Sequence, residues 1–200
     1  MSEYIFLFDL DATITKVEIL PEIARKINKE VEMRELTERA MQGEIPFEQS
    51  FRSRVELLKH LPVSEIAQMI EQVPVNEKMV EFIKENANRC YVVTGNLDVW
   101  IAGLMEKMGM KEHCICSHAA VLDNQIVDIL DVVDKKKAIS EFKQPLVAIG
   151  DGSNDAEMIE AAEVGIGFGG VREIAPAVCQ VATHLTYSED KLCQFLKQLL

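Results

Sequence analysis

An α/β fold, a doubly wound parallel sheet with a small helical insert after its first strand, is the architecture this sequence predicts. Three observations carry that expectation. Short apolar runs with strand propensity recur at 4–8, 90–93, 146–149, 164–168 and 181–185, with helical patterns between most of them. Such alternation is what a parallel sheet covered by helices on both faces requires. Residues 15–75, between the first two runs, hold no convincing strand. The length of 200 residues fits one medium domain, or a core with an inserted lid.

The first run is too short for a helix and halts at Asp9-Leu10-Asp11, as a buried strand that delivers carboxylates at its end. In the insert, Ile19, Leu20, Ile23 and Ile27 mark one helix, and Phe47, Phe51, Val55 and Leu58 a second. Ile66, Met69, Ile70 and Val73 mark a third, with Ser64 placed to cap it. Pro21, Gly43, Pro46, Pro62 and Pro74 punctuate these patterns. An insert directly after the first strand lies over the carboxyl edge of the sheet, where doubly wound folds bind ligands. Beyond it, Ile101, Leu104, Met105 and Met108 share one face of a helix from Asp98 that stops at Gly109. The last helix, 189–199, carries Leu192, Phe195, Leu196 and Leu199 in the same spacing. The expected division is a core of 1–14 and 76–200 with a helical cap of 15–75.

Composition narrows the partners. With 48% apolar and 27% charged residues the chain is an ordinary globular one, and its formal charge of −12 disfavours nucleic acid and anionic membrane surfaces. No stretch approaches the roughly 18 apolar residues of a membrane span. The start, Met1-Ser2-Glu3-Tyr4, lacks the basic region of a signal peptide. The five cysteines are odd in number and form no C-x-x-C pair, so they read as reduced thiols in a cytoplasmic protein. A small molecule is the expected partner; the sequence sets no oligomeric state.

Chemistry concentrates at strand ends. Asp9 and Asp11 would point to opposite faces of a strand, but a loop beginning at Asp9 can turn both to one site; a solvated turn or a helix cap is the plainer reading. Gly150-Asp151-Gly152-Ser153-Asn154-Asp155 is a second acidic loop after a second strand, and alone would pass for a Gly/Asn/Asp turn. Two such ends in one parallel sheet supply three or four carboxylates, a hard-cation site suited to Mg2+. At Thr94-Gly95-Asn96 a hydroxyl and free backbone N–H groups near a helix start can hold a phosphoryl oxygen, or simply form a turn. Lys135 lies four and seven residues before Ile139 and Phe142 and so shares their inward face, whereas Lys136 and Lys137 point away. Arg54, seven residues after Phe47 and four before Leu58, falls on the apolar face of its helix, where a charge needs a partner.

Asp9-Leu10-Asp11-Ala12-Thr13, Thr94, Lys135 and Gly150-Asp151-Gly152-Ser153-Asn154-Asp155 together resemble the four successive motifs of the haloacid dehalogenase superfamily of phosphohydrolases, with its Rossmann-like core. The resemblance narrows to the phosphoserine phosphatase branch and covers nearly the whole chain. Glu18 stands nine residues after Asp9, where that branch has a glutamate. Ala40-Met41-Gln42-Gly43-Glu44-Ile45-Pro46-Phe47 is similar to a stretch of its cap, and Arg54 matches the arginine that follows. Thr94-Gly95-Asn96 departs from the usual Ser-Gly-Gly, and 117–134 is shorter than the corresponding hairpin.

The resemblance implies a Mg2+-dependent phosphomonoesterase acting on phosphoserine or a similar small amino-acid phosphate. Asp9 would be the nucleophile, Asp11 the acid and base, and Thr94 and Lys135 would hold the transferring oxygens. Asp9, Asp151 and the Asp11 backbone carbonyl would bind Mg2+, with Asp155 orienting Lys135 or a metal-bound water. Glu18, Met41, Phe47, Arg54, Thr94, Gly95, Lys135 and Asn154 would meet the substrate, Glu18 at its amine and Arg54 at its carboxylate.

Other readings remain open at this level: transfer of phosphate to an amino-alcohol acceptor, a receiver-like phospho-aspartate switch, or a retired fold that only binds phosphometabolites. A receiver has no 60-residue insert after its first strand, and binding alone needs no acid at Asp11. His113-Cys114-Ile115-Cys116-Ser117-His118 looks like a zinc cluster but reads as a strand, whose same-face residues lie about 7 Å apart. Gly165, Gly167, Gly169 and Gly170 mimic a dinucleotide loop yet follow a late strand, and read as a backbone turn beside the site. His60 reads as an exposed loop residue.

Overall fold

The computed structural model describes residues 3–200; Met1 and Ser2, with which the expected core begins, lie outside the described residues. Strand β1 (Ile5–Phe8) is buried along its whole length, which its unbroken apolar sequence allows only in the middle of a sheet. The helices α1 (Ile19–Lys26), α2 (Glu30–Met41), α3 (Phe47–Leu58) and α4 (Val63–Ile70) follow before the chain returns through α5 (Glu77–Glu85) to β2 (Cys90–Leu97). Then come α6 (Asp98–Met108), the hairpin β3 (Cys114–Leu122) and β4 (Gln125–Asp131), α7 (Lys135–Ile139), β5 (Leu146–Gly150) and α8 (Ala156–Ala161). The remainder is β6 (Val164–Phe168), α9 (Pro176–Val181), β7 (His184–Thr186) and α10 (Glu189–Leu196).

The seven strands form one sheet in the order β4-β3-β2-β1-β5-β6-β7, parallel except for the β3–β4 hairpin. β1 sits between β2 and β5, with Phe8 opposite both Val92 and Ile149. The ends of these three strands therefore open at one edge, as the sequence predicts. Thr15 and Val75 form an antiparallel bridge, and the Asn76 amide donates to the Thr13 carbonyl at 2.7 Å. The two crossings between β1, the four helices and α5 are thus pinned side by side.

Local departures from the sequence reading have physical causes. Helix α4 begins at Val63 after Pro62, so Ser64 does not cap it; the Ser64 N–H donates to the Asn124 side chain of the β3–β4 turn at 3.0 Å. The apolar run 181–185 straddles the end of α9 and the start of β7, so the last strand is shorter and later than expected. β2 runs on to Leu97 beyond the expected 90–93. Gly109 ends α6 in the left-handed conformation, at φ 71°, as foreseen.

The decoys are held by other bonds. His113 Nδ1 lies 3.0 Å from the Cys90 carbonyl and its ring stacks on Tyr91, while His118 pairs with Asp131 across the hairpin at 3.0 Å. Among the described residues no helix is long and apolar enough to cross a membrane.

Candidate active site

The first acidic loop turns because its backbone leaves the strand in two steps. The Asp9 N–H still bonds to the Ile149 carbonyl at 2.9 Å, as a ladder member. Asp11 is extended, at φ −68° and ψ 129°, and Ala12 takes a left-handed φ of 53°. The Thr15 hydroxyl accepts from the Ala12 N–H at 3.1 Å and donates to the Val17 carbonyl at 2.7 Å. Left-handed backbone is unfavourable for a residue with a Cβ, and these bonds hold it there. The result brings Asp9 and Asp11 to one pocket, against strand alternation.

That pocket is lined from the sheet edge by Asp9, Asp11, Gly95, Asn96, Asn154 and Arg172, and from the helices by Glu18, Met41, Phe47 and Arg54. Of the residues given a catalytic, metal-binding or substrate-binding role from sequence, eight are therefore together. Lys135, Asp151 and Asp155 lie buried beneath them. Thr94 is fully buried and is not part of the lining; its Oγ1 accepts from the Asn96 N–H at 3.1 Å. Phe47 lies directly over Gly95, where a Cβ would run into the ring, so the close approach of α3 to β2 needs a glycine.

Lys135 opens α7, and its Nζ donates to Asp9 and, at 2.6 Å, to Asp155. Asp155 is anchored from behind, since its Oδ2 accepts from the backbone N–H groups of Asp151 at 3.1 Å and Gly152 at 2.9 Å. Burial and the neighbouring carboxylates Asp155 and Asp11 push the Asp9 carboxyl up to about 7, against the pull of Lys135. Burial likewise raises Asp11, although its Oδ1 accepts from the Ile19 N–H at 2.9 Å, and raises Asp151 well above the usual carboxylate range. Asn96 donates its side-chain amide to Asp11.

Asp9, Asp151 and Asp155 each offer an oxygen within 4.8 Å of the others. Three buried carboxylates so close repel one another, which raises Asp9 and Asp151, and an all-oxygen donor set fits a hard divalent cation. Asp155 has both oxygens engaged by Lys135 and the backbone, and Asp151 both by the Thr13 hydroxyl and Arg172, whereas Asp9 gives one oxygen to Lys135 and is the freer donor.

Arg54 on α3 is 9% exposed. Its guanidinium carbon lies 5.7 Å from the Phe47 ring centre and 5.8 Å from that of Phe51, its Nη1 is 3.4 Å from the Thr37 hydroxyl, and its Nε has no partner. Burial pulls its pKa down to about 10, which leaves it a cation at neutral pH. Arg52, on the other side of the helix, is exposed and pairs with Glu48 at 2.9 Å.

Arg172 is the site residue that sequence reasoning missed. It stands in the bend that follows β6, and its guanidinium pairs through Nε with Asp151 and through Nη1 with Glu18. Its only sequence signal is a charge two residues beyond Gly169-Gly170, just past an apolar strand that the alternation already places in the sheet.

The haloacid dehalogenase-like hydrolase family matches the chain over residues 6–160, and a second family of the same description over 132–193. The phosphoserine phosphatase of Methanocaldococcus jannaschii is 35% identical over 179 residues, covering 82% of this chain and 84% of that protein. Two solved structures align with 99% of this chain and 99% of their own. One, a phospho-aspartyl intermediate analogue of phosphoserine phosphatase, has a TM-score of 0.82 at 30% identity. The other, a substrate-bound phosphoserine phosphatase complex, has a TM-score of 0.83 at 29% identity.

Proposed function

The chain belongs to the haloacid dehalogenase-like hydrolase family, and from that premise we propose that it is a Mg2+-dependent phosphomonoesterase. Its substrate is phosphoserine or a similarly small amino-acid phosphate, hydrolysed through an aspartyl-phosphate. The observation that carries the substrate class is Arg54, a buried cation with an unpartnered Nε on the wall of the pocket that holds Asp9 and Asp11. Among the described residues this guanidinium has only the more distant charge of Asp11 and no direct ion pair, and a substrate carboxylate would meet it through two parallel hydrogen bonds. The likeness to phosphoserine phosphatases in sequence and fold points the same way.

In this mechanism a carboxylate oxygen of Asp9 attacks phosphorus; the bond from Asp9 to phosphorus forms as the bond to the serine oxygen breaks. Asp11 gives its proton to that leaving oxygen. Burial raises its carboxyl, the direction that favours the protonated form an acid needs. In the second half Asp11 takes a proton from water, whose oxygen displaces Asp9 and releases phosphate. Lys135, fixed by Asp155, holds Asp9 and meets a phosphoryl oxygen together with Thr94 and the Gly95 backbone. Asn154 positions the substrate. Asp9, Asp151 and the Asp11 backbone carbonyl would hold Mg2+, with Asp155 acting through water. When bound, the ion neutralises charge between carboxylates and phosphate.

Residues 15–75 serve as a cap on a core of 1–14 and 76–200, and exclude water from the pocket. The five free thiols support a cytoplasmic setting. A phosphate-release screen over small phosphomonoesters with Mg2+, with and without amino-alcohol acceptors, tests the proposal. Release should be fastest from esters that carry a carboxylate, phosphoserine among them, and independent of acceptor. Hydrolysis confined to esters without a carboxylate would reject the substrate class, and acceptor-dependent turnover would make the enzyme a transferase.

A further inference from the structure

Glu18 lines the pocket, where the resemblance to phosphoserine phosphatases implies that it would meet a substrate ammonium, yet it already has a cation. The Arg172 guanidinium reaches across from the bend after β6 and pairs with Glu18 through Nη1 while its Nε rests on Asp151. Both Arg172 and Glu18 have side chains 24% exposed, so the pair is largely screened from water. An ammonium arriving at Glu18 meets a carboxylate already paired with a guanidinium, and stands beside a second positive group. Arg54, by contrast, feels the charge of Asp11 but forms no ion pair among the described residues, and its Nε is left for a substrate carboxylate.

We infer that Arg172 determines specificity by pairing with Glu18, so that the enzyme takes small carboxylate-bearing phosphomonoesters whether or not they carry an amine. This rests on the reading of the pocket as a site for small amino-acid phosphates. It extends the substrate class to phosphorylated hydroxy acids, recognised by phosphate at Asp9 and Lys135 and by carboxylate at Arg54. A site built around a free carboxylate would instead reject an analogue without its donor by about 10⁴-fold.

The test compares phosphoserine with its deaminated analogue, the phosphate ester of β-hydroxypropanoate, on the full chain with Mg2+. In the wild type the two kcat/KM values should agree within about tenfold. In Arg172→Gln, with melting temperature used to confirm the fold, the preference for phosphoserine should rise by at least about tenfold, through a lower KM. Calorimetric binding of the matching non-hydrolysable phosphonates should show the same change without turnover. A wild-type preference for phosphoserine above about a hundredfold would overturn the inference even if the variant failed to fold. A preference unmoved in a folded Arg172→Gln would also overturn it. Turnover of an aryl phosphate but of neither carboxylate ester would overturn the reading of the pocket itself, and the inference with it.

Discussion

Nζ of Lys135 lies 2.6 Å from Oδ1 of Asp155, and the other oxygen of that carboxylate accepts two backbone N–H groups from the loop that carries Asp151. Asp155 thus ties the lysine beside Asp9 to the loop bearing the second acidic donor. Both side chains of the pair are at most 2% exposed. Removing one partner of a buried pair leaves the other uncompensated, at a cost of about 3 to 5 kcal/mol.

Asp155→Ala should therefore lose about 3 kcal/mol of stability in urea melts at neutral pH, and turnover should fall by about a hundredfold. Asp155→Asn keeps an oxygen for the two N–H groups and should be distinctly milder in stability. Equal losses in the two variants would mean that the Lys135 contact, and not the loop, sets the stability.

Asp9→Asn should fall below about a thousandth of wild-type turnover, because an amide of the same volume cannot act as the nucleophile. Binding of substrate should be largely retained. Rapid-quench experiments should find no aspartyl-phosphate in the variant, and turnover within tenfold of the wild type would remove Asp9 from that role.

The crowding of carboxylates makes stability depend on pH and metal together. Asp9 is raised from 3.8 to about 7, so between those values the folded chain binds more protons than the unfolded one. Stability then falls as pH rises through that window, and Asp151 acts in the same direction. In chelator the melting temperature should drop from pH 5 to pH 8. Mg2+, which competes with protons for the same oxygens, should raise it more at pH 8 than at pH 5. An equal Mg2+ increment at both values, measured by thermal denaturation, would show that the cation binds away from these groups.

What the sequence made legible follows from where each residue sits. Asp9, Asp11 and Asp151 interrupt apolar strands abruptly, and Lys135 and Arg54 share helical faces with core residues, so pattern alone placed them. Arg172 lies in an irregular bend, where no period links it to anything, and its reach to Glu18 depends on a fold formed by residues 154 positions apart. Helix α2 left little trace because only Met33, Thr37 and Ala40 are buried along it, too few apolar residues for a stripe. The start of β7 was misplaced because an apolar run carries no mark of where a helix yields to a strand.

Two arginines two positions apart on α3 separate substrate binding from surface support. Arg54 faces the pocket with its Nε free, whereas Arg52 pairs with Glu48 and reaches the Ile129 carbonyl of β4. A desolvated charge pair lost from a closed site costs about 2 to 4 kcal/mol, or roughly 30-fold to 1000-fold. Arg54→Ala should weaken kcat/KM for phosphoserine by that factor and scarcely change an aryl phosphate that has no carboxylate. Arg52→Ala should change neither, since an exposed pair contributes at most about 1 kcal/mol, and to the fold, not to the ligand. The guanidinium also rests on Phe47 and Phe51, so a packing role predicts a different result. If Arg54→Ala slowed both substrates equally, the arginine would be holding α3 over Gly95, and the carboxylate requirement would lose its support.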